Sequence, residues 1–144
     1  MSSFKGIEAR IAATARSVVG ASIVRWAALL ALCAAYLQRG LNKATDFAGA
    51  IAEMNYFGLK PAMPFAIATI ALELVASILI LTGIYRWFGA LALAGFTLVA
   101  TFLANRFWEI APPERFMMAN SFFEHLGLVG GFLLVAWHDL NGRS

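Results

Sequence analysis

Four apolar runs, each about twenty residues long, set the terms on which this chain can fold. They occupy residues 20–41, 62–84, 87–107 and 116–137. A helix of that length rises about 30 Å, the thickness of a bilayer's hydrocarbon layer. A soluble domain carries about 25% charged residues, whereas here only 13% of 144 residues are charged and 61% are hydrophobic. That much apolar surface exceeds what one small soluble core can hide. The expected fold is therefore all-α, an integral membrane four-helix bundle preceded by a short N-terminal amphipathic helix. Its expected parts are an interfacial segment over 1–19, the bundle over 20–138 and a polar tail over 139–144.

In the first segment Phe4, Ile7, Ile11, Ala15 and Val18 recur at three- and four-residue steps, with Lys5, Arg10 and Arg16 elsewhere on the wheel. That is the pattern of a basic helix lying among headgroups; a frayed tail is the alternative. Thr45 or Asp46 can cap a short helix ending near Tyr56, before Gly58 and Pro61. Residues 83–86 form a tight turn, and Pro112-Pro113 stops the third run. A cleavable signal peptide over 26–37 is rejected, because its loss would discard a stripe that matches the other helices.

The net charge of +3 does not point to nucleic acid, since the basic residues flank apolar spans. The lone Cys33 excludes an intramolecular disulfide and a CxxC redox motif. Lys5, Arg10, Arg16, Arg25, Arg86 and Arg143 share one side, against Arg39, Lys43, Lys60, Arg106 and Arg115 on the other. That margin, with the usual dominance of the first helix, places both termini in the cytoplasm.

Glu73 is the informative residue. It is the one ionisable group between Ala62 and Ile84, and a charge at mid-membrane costs roughly 2.5–3.5 kcal/mol on insertion scales. It shares a helix face with Ala66, Thr69, Ala76 and Ser77. Small and polar faces turn toward other helices rather than lipid, so Glu73 is expected to point inward. Comparable stripes run through Ala27, Ala31, Ala35 and Arg39; through Ala90, Ala94, Thr97, Thr101 and Asn105; and through Asn120, Glu124, Gly127 and Gly131. In an up-down bundle Arg39, Lys43, Asn105, Arg106, Glu124 and His125 then cluster at one end. Glu73, eleven residues into its run, lies about 16 Å below that end at about 1.5 Å per residue. The result is a polar funnel.

An ion pair between Arg39 or Arg106 and Glu73 or Glu124 is expected there, with Trp108, Phe107, Phe122 and Phe123 offering aromatic surface at the mouth. A metal site is not expected. Glu124 and His125 are adjacent and point about 100° apart, and no third ligand has metal-site spacing. Haem is disfavoured because His138 sits at the opposite end of the same run.

The motifs occur in a recognisable order. Gly40-Leu41-Asn42-Lys43 with Asp46-Phe47 comes first, then Leu72-Glu73-Leu74, then Arg106-Phe107-Trp108, and last Leu126-Gly127-Leu128-Val129-Gly130-Gly131. The set resembles the DoxX family of small four-span bacterial inner-membrane proteins, over roughly residues 20–138. The resemblance implies a multi-pass inner-membrane protein, a subunit of an oxidoreductase or oxidative-stress complex, and a quinone as ligand. Asn105 stands where the family commonly has His, and Glu124-His125 where it has Lys-Asn.

Two readings follow. The first is a redox-associated membrane subunit that binds a quinone or similar lipid-soluble ligand through Glu73, Arg106, Glu124, His125, Arg39, Lys43 and Asn105. It has no self-contained catalytic or redox centre and no covalently bound cofactor, so it needs a redox partner protein. The second is a non-catalytic scaffold or small-solute carrier whose charges lock helices together. Either can sit in the bilayer as a homo-oligomer.

Overall fold

A computed structural model describes residues 1–143. The chain forms helices α1 (Ser2–Val19), α2 (Ser22–Thr45), α3 (Phe47–Tyr56), α4 (Ala62–Thr82), α5 (Arg86–Ala104) and α6 (Glu114–Asn141), with a 3-10 turn at Phe107–Glu109. α4, α5 with its 3-10 turn, and α6 are each long and apolar enough to cross a membrane. α2, which carries Arg25, Arg39 and Lys43, meets that standard only together with α1, from which it is bent by 67°.

The boundaries follow from local chemistry. Asp46 ends α2 and caps α3, its carboxylate accepting the Gly49 N–H at 3.0 Å. Pro61 precedes α4, with Pro64 in the first turn, where a missing N–H costs little. Gly83, at φ +80°, closes α4 in the left-handed conformation that glycine adopts freely. α6 continues through Asn141, so Asp139 belongs to a helix rather than to the expected polar tail.

α5 packs against both α4 and α6, while α4 also carries α2 and α3; α2 and α6 meet only narrowly. The core holds Leu29, Cys33 and Tyr36 of α2, Ala76 and Ile80 of α4, Ala90, Leu93 and Ala94 of α5, and Phe132 and Ala136 of α6. Tyr36 sets its ring edge-on to Phe132, centroids 5.3 Å apart, and shares a hydrogen bond with the Thr97 hydroxyl. A smaller cluster of Ala50, Met54 and Ala66 seats α3 on α4. Every residue of α1 is exposed.

Two of the four expected inward stripes are found. Ala66, Glu73, Ala76 and Ser77 of α4 are buried, as are Ala90, Ala94, Thr97 and Thr101 of α5 and Asn105 just after it. The other two face outward. On α2, Ala27, Ala31, Ala35 and Arg39 are exposed, and Leu29, Cys33, Tyr36 and Gly40 turn inward. On α6, Asn120, Glu124 and Gly127 are exposed, while Phe122, Phe132 and Ala136 are buried. The physical reason is volume. Because α2 and α6 touch only narrowly, large side chains such as Tyr36 and Phe132 fill the space between them, and small residues would leave a void there.

The two ends of the bundle are built differently. At the end formed by the α4–α5 hairpin, Arg86 Nε donates to the Ile80 carbonyl at 2.8 Å, and its guanidinium lies 5.9 Å from the Trp26 ring centroid. The Trp87 N–H donates to Asp139 at 3.2 Å. These contacts bring the start of α2 and the end of α6 to the same end of the bundle. α4 and α5 are in close contact here, because a Cβ at Gly89 would sit 2.6 Å from the Ala76 carbonyl oxygen.

Candidate functional site

At the other end the helices enclose a cavity of about 680 Å³, within the range of about 300–1,000 Å³ typical of small-molecule sites. α2 contributes Arg39, Asn42 and Lys43, and α3 with its following loop contributes Glu53, Met54, Phe57 and Leu59. α4 adds Phe65, Ala68, Thr69, Leu72 and Glu73; α5 adds Phe96, Val99, Ala100, Leu103 and Ala104; Asn105 and His125 complete the wall. Charged and amide groups gather toward α2, α3 and α6. Apart from Glu73 and Thr69, the α4–α5 side is apolar.

Lys43 is the hub of the charged wall. Its ammonium donates to Glu73 Oε1 at 3.4 Å and lies 3.6 Å from Glu53 Oε2. Gly40 makes this approach possible, since a Cβ there would meet Leu74 Cδ2 at 2.7 Å and hold α2 away from α4. The Glu73 side chain is 1% exposed, and its second oxygen, Oε2, is buried with no hydrogen-bond partner among the described residues. A carboxylate oxygen denied both water and a donor is expensive to keep.

On the opposite side the His125 Nδ1 meets Thr101 Oγ1 and Asn105 Nδ2, each at 2.9 Å. The Asn105 amide can only donate through Nδ2, so Nδ1 accepts and the ring proton resides on Nε2. Nε2 has no hydrogen bond to the described residues. The cavity wall thus carries a carboxylate, Glu73, whose free oxygen is packed away from water, and two groups that can donate, His125 through Nε2–H and the Lys43 ammonium. Among the described residues no three His, Cys, Asp or Glu side chains come together as a metal shell.

Of the seven residues expected at the site, Glu73, Arg39, Lys43, Asn105 and His125 line the cavity. Arg106 and Glu124 do not. Arg106 pairs with Glu109 at 3.2 Å on the surface, because the chain leaves the helix at Asn105 and the 3-10 turn carries Arg106 outward. Glu124 lies on the exposed face of α6, one residue and thus about 100° from His125. The expected arginine partner of Glu73 is replaced by Lys43, which stands closer on the rim. Phe107, Trp108, Phe122 and Phe123 stack on one another and on Phe102 instead of lining the mouth; the aromatic lining is Phe57, Phe65 and Phe96.

Sequence reasoning missed the share of α3. Ala50, Glu53, Met54 and Phe57 fall at i, i+3, i+4 and i+7, one helix face that carries a carboxylate among apolar neighbours. That pattern could have marked Glu53 as part of the cavity wall.

No curated protein and no solved structure matches the chain. A family model described as DoxX matches residues 20–106. The matched stretch begins at Gly20, where α1 has ended, runs through α2 to α5, and stops before α6. It includes Arg39, Lys43, Glu53 and Glu73, which carry the charges on the cavity wall, and Asn105. With more than half of its length matched, and with apolar helices fit to cross a bilayer several times, the protein belongs to the DoxX family.

Proposed function

We propose that this protein is a membrane subunit of a redox complex that binds a quinone or a similar uncharged, lipid-soluble headgroup in the cavity. The observation that carries this reading is a space large enough for a ring whose wall includes Glu73, a buried carboxylate with one oxygen left without a donor among the described residues. A quinone carbonyl accepts a hydrogen bond, which His125 Nε2–H or Lys43 can donate; a quinol hydroxyl donates one, which the Glu73 carboxylate can accept by turning toward the cavity. The chain supplies no electron carrier, so electrons come from or go to a partner protein. The bacterial inner membrane, with both termini cytoplasmic, is the setting that accompanies this reading.

A scaffold or carrier is the second reading, favoured by one observation. Lys43 bridges carboxylates on α3 and α4 from its place on α2, as an interhelical lock would. A lock alone would not leave a buried oxygen unused. Equilibrium binding of a quinone analogue to the purified protein separates the two. The expected result is saturable binding that weakens at least tenfold in His125→Ala and in Glu73→Gln while both remain folded. No binding by the parent protein, or unchanged binding in both variants, hands the cavity to the scaffold reading.

A further inference from the structure

We infer that the cavity takes its ligand from within the bilayer, through the gap between α4 and α5, and that this ligand carries an apolar tail which stays in that gap. The inference rests on the proposed headgroup site and adds to it a route and a second part of the molecule. α4 and α5 are pinned at their hairpin, where Gly89 lies against the Ala76 carbonyl. The cavity occupies the space between the same two helices at their other end. Three of its lining residues, Phe65, Ala68 and Val99, are at the same time exposed on the outer face of the bundle; Val99 is 69% exposed. The cavity therefore reaches the surface that faces lipid.

The chemistry of the two walls agrees with that geometry. The side opening at Phe65, Ala68 and Val99 is apolar apart from the neighbouring Thr69, and the charged groups and His125 line other parts of the wall. A headgroup seated between Glu73 and His125 would direct a tail past Phe96 and out beside Val99. The cavity is also reached at its polar end, where its lining residues Arg39, Asn42 and Glu53 are exposed, but the side opening is the one an apolar tail can use. A water-soluble ligand would have no use for an apolar exit, and a charged one could not cross it.

Two probes test this: a tail-less benzoquinone, and the same ring with a ten-carbon chain bearing a photoreactive terminal group. The tailed probe is expected to bind the purified protein at least tenfold more tightly, at equal free concentration, and to crosslink at or beside Phe65, Ala68 or Val99. Val99→Trp and Ala68→Trp change lipid-facing positions, so melting temperatures should hold. Each should weaken the tailed probe at least fivefold, and several times more than it weakens the tail-less one. Equal affinity of the two probes, or crosslinks confined to α3 and the aqueous end, overturns the side route while the headgroup site stands. If neither probe binds, both the route and the headgroup site fall.

Discussion

The hairpin end and the cavity end of this bundle solve the same problem, an ionisable side chain inside an apolar protein, in opposite ways. Arg86 is buried at the hairpin, donates to a neutral carbonyl, and rests near the Trp26 ring. Its neighbour Asp139 is used twice, by the Trp87 N–H and by Arg143. At the cavity, Lys43 spreads one positive charge over two carboxylates, and one oxygen of Glu73 receives nothing. Satisfied polar groups beside close helix contact are what stability alone would select. A buried oxygen without a donor, beside empty volume, is the departure that points to function.

The contrast can be broken at its strongest point first. Lys43→Met should strand Glu73 as an uncompensated buried charge and cost about 3–5 kcal/mol, read as a large drop in melting temperature. Glu73→Gln should cost far less, since Lys43 keeps Glu53 at 3.6 Å. The Lys43→Met/Glu73→Gln double variant should recover most of the loss. Additive single effects in that cycle would mean that the pair is not coupled.

The hairpin comes next. Gly89→Ala places a Cβ against the Ala76 carbonyl oxygen, a backbone atom that cannot rotate away. Overpacking of about 1–3 kcal/mol should outweigh the better helix propensity of alanine. Gly127→Ala meets open space within 4 Å and should be neutral or stabilising by up to about 1 kcal/mol. Equal melting temperatures for the two alanine variants would show that the helices are not in close contact there. The smallest effect belongs to Arg106→Ala. With Arg106 and Glu109 both about half exposed, the loss should stay below about 1 kcal/mol, with quinone-analogue binding unchanged. Weakened binding would return Arg106 to the site.

The fold was largely legible because run length and punctuation carry it. Asp46, Pro61, Gly83 and the paired Pro112-Pro113 fall where helices begin or end, or in the segments between them. The inward faces were legible only where a polar residue marked them, as Glu73 does on α4 and Thr97, Thr101 and Asn105 do on α5. α2 carries alanines on several faces, so a rule that equates small with inward selects the wrong one; Cys33 and Tyr36 mark the true core side. On α6 the glycines drew attention from Phe122 and Phe132, which fill the volume between helices. The partner of Glu73 depended on how far α2 extends past Arg39. A span ended at residue 41 leaves Lys43 in a loop, whereas the helix runs through Thr45 and aims Lys43 back at Glu73.

The exposed first helix has a consequence for how freely its sequence can change. α1 contributes no buried residue, touches only α2, and lies outside the stretch shared with the family. Substitutions in it meet no packing constraint from the bundle, so drift there should be rapid except where its surroundings impose a composition. Its apolar stripe and basic residues are then a record of the medium it sits in rather than of the fold it precedes. Among related chains the two parts should diverge at different speeds, the bundle slowly and the leading helix fast, with only the polarity of its faces retained.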